Sequence, residues 1–176
     1  IDVTYEIWVP SSQTLAGRLT FTNLSADERS IQLDMTAQLT PSEGQRMASL
    51  ELEAATVLSG ISSDLSPIVF MTGGSRPGSG SFPSLRQDIE LHPGESKSVF
   101  WTEAALSSPI TSFDAARQLA SRNWDAEIAR VELANAGTLE LYTGNVEWDA
   151  TFKWAQKQAL NLIISEGPGL PQSTIV

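Results

Sequence analysis

Hydrophobic and polar residues alternate through the first hundred positions, as β-strands with one covered face require. In the segment 3–9, Val3, Tyr5, Ile7 and Val9 share one face. Similar patterns recur between clusters of turn-forming residues. They predict further strands at 15–23, 31–39, 50–58, 67–71, 85–91 and 96–101. Because no helical pattern separates these segments, the sequence predicts an antiparallel β-sandwich rather than a parallel sheet with crossover helices.

Two connections between the predicted strands have distinct compositions. The segment His92-Pro93-Gly94-Glu95 has the proline and glycine of a type II turn. The segment 72–83 is rich in glycine, serine and proline, but it lacks the Gly-Lys-Ser/Thr ending of a phosphate loop. We therefore interpret it as a surface connection and expect it to be the most mobile internal segment.

The period of the hydrophobic pattern changes after position 101, where helices are expected. Apolar residues at three- and four-residue steps predict a helix over 112–133, with Ser112 as its N-cap. A short strand is predicted at 138–142, and a second helix over 146–164. The apolar stripe of this second helix comprises Trp148, Phe152, Ala155, Ala159, Leu162 and Ile163. Such a stripe needs cover, which the first helix, a domain outside this chain or a homodimer would provide.

Composition excludes several classes of function. The 176 residues include 21 acidic and 11 basic ones, a net charge of −10 without a basic patch, so nucleic acid is not an expected partner. A membrane span is not expected, since no run of 18 apolar residues occurs. Cysteine is absent, which excludes disulfides and thiolate zinc sites and is compatible with any cellular compartment. We expect no metal and no cofactor.

Catalysis by this chain would have to rest on carboxylates, because it has a single histidine, in the predicted turn at 92–95. Glycoside hydrolysis needs two carboxyl groups that face one substrate. The nearest pairs are Asp125 with Glu127 and Glu147 with Asp149, and residues two apart on a helix point to different sides. The chain by itself is therefore expected to be catalytically inert.

Tryptophans could stack on sugars or fill a core. Trp124 and Trp148 lie on the predicted apolar stripes, which favours packing. Trp154 departs from the stripe of its helix and is the expected surface-facing ring. The chain also opens at Ile1 within a predicted strand and without a methionine, so we expect it to be a piece of a longer protein.

The order of these elements resembles one group of enzymes. A β-sandwich is followed by a helix and by the junction Thr143-Gly144-Asn145, which leads through Trp148 into a last helix. This order is similar to the N-terminal region of bacterial glycoside hydrolases with an (α/α)6 catalytic barrel, which include glucoamylase-like enzymes, amylo-α-1,6-glucosidase-type debranching enzymes and sugar phosphorylases. In that group a sandwich of the galactose-mutarotase-like supersandwich type precedes linker helices and the barrel.

The resemblance implies a non-catalytic accessory domain that buttresses the barrel of a carbohydrate-metabolising enzyme and helps to shape its cleft. It implies a sandwich at 1–110, a helical linker with a short strand at 111–146, and the first barrel-type helix with a tail at 147–176. The barrel of the same polypeptide would be the partner, and carbohydrate an indirect one. Arg76, Phe82 and Trp154 are the candidates to face carbohydrate, and the stripe of the last helix is the candidate domain interface. A free-standing carbohydrate-binding module and a structural sandwich of a surface protein are the alternatives.

Overall fold

The computed structural model describes residues 1–39, 46–136, 139–161, 163–164 and 174–175. It divides into two units, Ile1–Arg122 and Asn123–Val176. The first unit holds nine strands and one helix: β1 Asp2–Ser11, β2 Thr14–Thr22, β3 Arg29–Thr36, β4 Ala48–Leu52, β5 Ala55–Ser59, β6 Ser66–Met71, β7 Arg76–Pro77, β8 Ser84–Leu91, β9 Ser96–Leu106 and α1 Pro109–Ala120. The second holds α2 Trp124–Ala136, α3 Val146–Asn161, β10 Ile163–Ile164 and β11 Thr174–Ile175.

The strands of the first unit form two antiparallel sheets that pack face to face. The larger sheet has the order β1-β2-β9-β6-β5-β4, and the smaller one has the order β3-β8-β7. The main core lies between them and includes Phe21, Leu58, Met71 and Leu85 from four different strands, together with Val99. The predicted antiparallel sandwich followed by helices is confirmed.

Helix α1 covers the outer face of the larger sheet. Ser108 caps its N-terminus, and Pro109 follows at a position where the missing N–H costs nothing. Phe113 and Ala116 are buried against Ile68 and Ala104 of the sheet in a second, smaller core. Trp8 lies on the other face of β1 from Val3 and Tyr5, and the Arg122 guanidinium lies 5.7 Å from its ring centroid.

The helix predicted over 112–133 is two helices, so that prediction is wrong in its bounds. Helix α1 ends with Ser121 as its C-cap, and α2 starts behind Asn123, whose Oδ1 accepts the backbone N–H of Ala126. The apolar stripe continues across this break, which is why the spacing suggested one helix. Ser112, the predicted N-cap, is a buried residue inside α1, and its hydroxyl accepts the backbone N–H of Leu106.

The strand predicted at 138–142 is also wrong for its described part, since residues 139–142 have no strand pairing. The side-chain amide of Gln156 forms the two hydrogen bonds with the Leu139 backbone that a neighbouring strand would otherwise form. The Leu139 N–H donates to Gln156 Oε1 at 2.8 Å, and Gln156 Nε2 donates to the Leu139 carbonyl at 2.7 Å.

The last helix was predicted over 146–164, and α3 ends at Asn161 because Ile163–Ile164 pairs with Thr174–Ile175. No helix in the described part of the chain is long and apolar enough to cross a membrane.

The strand predicted over 50–58 is a hairpin. Strands β4 and β5 pair antiparallel, with Leu52 opposite Ala55. The two residues between them, Glu53 and Ala54, have φ of 46° and 63°. A type I′ turn requires a positive φ at both of its central residues, so this hairpin has that turn type. The sequence has no asparagine or glycine here, so the usual signal of such a turn is missing.

The turn predicted at 92–95 is confirmed, because Gly94 has φ of 75° and Glu95 N–H donates to the His92 carbonyl.

The substitution Ala54→Gly is expected to stabilise the first unit by about 0.5–1 kcal/mol. Glycine adopts the left-handed conformation of this position without the Cβ crowding that alanine suffers there. Thermal unfolding measures the change. Ala48→Gly, in the strand of the same hairpin, is the control and is expected to lower stability by a similar amount, since glycine is unfavourable inside a strand. A lower melting temperature for Ala54→Gly would contradict the type I′ geometry.

Candidate functional site

One row of apolar side chains on β1 faces solvent. Strand β1 is the edge of the larger sheet, and its pairing with β2 puts this row on the side of the core, since Val3 lies opposite Phe21 and Tyr5 opposite Leu19. The row, called here the β1 surface, comprises Val3, Tyr5, Ile7 and Val9, which are between 51% and 65% exposed.

The alternation in the sequence predicts that the β1 surface is the covered side of a half-buried strand. That prediction is wrong, because these side chains are exposed. The main core draws on β2, β9, β6 and β5 but on no residue of β1. The smaller sheet has three strands against six in the larger one, so it leaves the edge strand without cover. The alternation in the sequence therefore identified the correct face but not its exposure.

A cleft of about 310 Å³ opens between the two sheets beside the β1 surface. One wall is formed by Tyr5 and Trp101, whose rings stack with centroids 6.4 Å apart and planes inclined by 20°. The indole lies directly over Gly17, where a Cβ would clash with it. The other lining residues come from the end of β3, from the segment behind it, and from β6 and β9. They are Met35, Thr36, Ala37, Gln38, Leu39, Met47, Val69 and Glu103.

Among the described lining residues of this cleft, Glu103 is the one that carries a carboxyl group. It lies on the core side of β9, because it follows Val99 and Trp101 at two-residue steps, and its strand neighbours are Leu15 and Val69. Among the described residues its carboxylate has neither a hydrogen-bond donor nor an ion-pair partner. Partial burial in these apolar surroundings raises the pKa of Glu103 above its ordinary value. Within residues 1–39 and 46–136, this partly desolvated carboxylate thus has no partner of its own.

Glu103 is not among the predicted site residues because the predicted strand ends at 101, whereas β9 continues to Leu106. A usable signal was present, since extending the alternation of Val99 and Trp101 by one step places an acidic residue on the apolar face. A charged residue at a core-facing position is unusual enough to mark a candidate site.

None of the three residues predicted to face carbohydrate is among the described lining residues of this cleft. Arg76 starts the short strand β7 and forms an ion pair with Asp88 on the exposed surface of the smaller sheet. Phe82, near the end of the same connection, is exposed. The glycine-rich segment is partly paired, since Gly78 N–H donates to the Ser84 carbonyl. Trp154 belongs to the second unit and is exposed on α3, as its position off the stripe indicated. Their contact with carbohydrate stays a prediction.

The described side chains of the apolar row on α3, those of Trp148, Phe152 and Ala155, are exposed as well. Asn145 caps the helix, and its Oδ1 accepts the backbone N–H groups of Glu147 and Trp148. Trp148 is 69% exposed and Phe152 36% exposed, and Ala155 is also exposed. For Ala159 and Ile163 the structure describes the backbone alone, and Leu162 lies outside the described residues. The role of these six residues as a domain interface stays a prediction.

No group of three histidine or acidic side chains that could hold a metal ion occurs within the described ranges.

No family model matches the sequence, and no curated protein matches it. One solved structure that matches comes from the human microbiome, and its protein is proposed to be a kojibiose phosphorylase. The match covers 94% of this chain and 22% of that one, with 9% identity and a TM-score of 0.42. The chain thus spans about a fifth of that protein's length.

Proposed function

We propose that this chain is a non-catalytic accessory domain of a carbohydrate-active enzyme and that it docks through the β1 surface onto an (α/α)6 catalytic barrel of the same polypeptide. The observation that carries the proposal is the exposure of four apolar side chains on one face of one ordered strand. Contiguous apolar patches on a soluble protein mark surfaces that another protein surface covers.

The energy of such docking is appreciable. Fully burying a valine or isoleucine stabilises by roughly 1.5–3 kcal/mol, so covering the exposed half of each residue in the β1 surface would contribute about 1 kcal/mol per side chain.

The order of elements supports the choice of partner. A two-sheet sandwich precedes the helices, as in the N-terminal regions of the barrel enzymes that the sequence resembles. The exposed α3 row offers a second apolar surface, of the kind that neighbouring barrel helices would cover. Arg76, Phe82 and Trp154 are exposed and thus available to line a cleft at the border of the barrel.

The proposal predicts that Ile7→Asp acts on the complete enzyme far more than on this chain alone. In the isolated chain Ile7 is exposed, so we expect a change in melting temperature of no more than a few degrees. In the complete polypeptide encoded by the gene, the buried charge should lower glycoside turnover at least fivefold, because the barrel loses its buttress. Thr4→Asp is the matched control, since it places the same charge on the opposite face of the same strand.

Three results would contradict the proposal. The first is an equal effect of Ile7→Asp and Thr4→Asp on turnover. The second is a complete gene that encodes no catalytic domain. The third is a concentration-dependent dimer of the isolated chain, detected by sedimentation and abolished by Ile7→Asp, because a second copy would then be the partner of the β1 surface.

A further inference from the structure

The Glu103 cleft has the size and walls of a small-molecule site. Its volume of about 310 Å³ lies at the lower end of the range for ligand pockets. Its described walls comprise two stacked aromatic rings, two methionines and aliphatic side chains, with Thr36 and Gln38 as polar residues beside Glu103. The methionines, Met35 and Met47, are unbranched and polarisable, and they adapt to the shape of an apolar ligand.

The charge of the cleft selects the kind of ligand. Glu103 brings one negative charge, and no basic residue is among the lining residues that the structure describes. Arg46, the chain neighbour of Met47, makes no ion pair with Glu103 among the described residues. The Glu103 carboxylate would repel an anionic ligand, whereas a cation would supply the partner that this carboxylate lacks among the described residues. A hard metal ion needs several oxygen ligands, and the cleft offers one carboxylate.

We propose that this cleft binds a small organic cation, an ammonium group with apolar substituents, whose charge lies against the Glu103 carboxylate and whose apolar part lies against Tyr5 and Trp101. Aromatic faces attract ammonium groups, and this attraction is strongest where water is partly excluded. Tyr5 belongs to both the cleft and the β1 surface, so the inference is tested on the isolated chain, where no barrel covers Tyr5.

Choline and 3,3-dimethylbutan-1-ol test the proposal, since the alcohol is the neutral isostere of the cation. Calorimetric titration of the purified chain should give saturable choline binding and at least tenfold weaker binding of the alcohol. Glu103→Gln should weaken choline binding at least tenfold and abolish the preference for the cation. Glu90→Gln removes the same charge from an exposed position on the smaller sheet and should leave choline binding unchanged.

The Glu103→Gln variant is suited to this test because its fold is not at risk. Burial disfavours the ionised form of Glu103, as its raised pKa indicates, so the neutral amide should keep or increase the melting temperature. Equal affinities for choline and the alcohol, undiminished choline binding by a folded Glu103→Gln variant, or no saturable binding of choline would each overturn the proposal. Equal binding of methyl glucoside and choline would also overturn it, because a sugar site would then replace the cation site.

Discussion

Replacing Gly17 by alanine is expected to destabilise the first unit by about 1–3 kcal/mol, although the change adds one methyl group to a strand. A Cβ at this position would overlap Nε1 and Cε2 of Trp101. The indole cannot simply move aside, because it belongs to the main core and stacks on Tyr5. The new methyl group must therefore displace the ring or separate β2 from β9, which are paired at this point.

Chemical denaturation followed by tryptophan fluorescence measures the effect, and the position of the emission maximum should also change as Trp101 moves. Gly80→Ala is the matched control, because a Cβ there meets no atom within 4 Å and its φ is not in the left-handed region. That variant should unfold like the parent chain. Equal stability of the two variants would show that Trp101 does not pack on Gly17.

The second large effect is expected for Asn23→Ala, at more than about 2 kcal/mol. Asn23 is fully buried, and its side-chain amide donates to the carbonyls of Asp27 and Leu91 at 2.8 and 3.0 Å. Alanine would remove the donor to the Leu91 carbonyl in the interior, and a buried group left unsatisfied costs about 1–3 kcal/mol, whereas the Asp27 carbonyl keeps the Ser25 hydroxyl as a donor. The backbone of Asn23 also bonds to Gly94 and Glu95, so the residue joins the end of β2 to the turn before β9.

The control for this prediction is Ser25→Ala, at a residue whose hydroxyl donates to Asn23 Oδ1 and lies nearer the surface. Its loss should cost no more than about 1 kcal/mol, since water can replace the hydroxyl. Denaturant midpoints of both variants test the difference. If Asn23→Ala unfolds at the same midpoint as Ser25→Ala, the amide does not have the structural role assigned to it.

The fold class could be predicted from the sequence because its hydrophobic residues recur with two distinct periods. Alternation along segments such as 15–23 and 85–91 reports one covered strand face, and the three- and four-residue steps after 101 report helices. The helix α3 was placed nearly correctly, because the cap Asn145 and the apolar spacing agree.

The wrong predictions share one cause: a local hydrophobic pattern does not show which other strands or helices a segment pairs with or packs against. The hairpin turn at Glu53 and Ala54 carries no glycine or asparagine, so nothing in the sequence separates β4 from β5. The exposure of the β1 surface depends on how far the smaller sheet extends, which is a property of the whole sandwich. Glu103 became a candidate only when β9 was seen to continue past the predicted strand end.

The central claim is that the β1 surface is covered in the complete enzyme. Hydroxyl-radical footprinting measures this directly, because side-chain oxidation reports solvent access at Tyr5 and Ile7. The account predicts that both residues are oxidised several times more slowly in the complete polypeptide than in the isolated chain, while the exposed Leu24 is oxidised at the same rate in both. Equal oxidation of Tyr5 and Ile7 in the two proteins would contradict it.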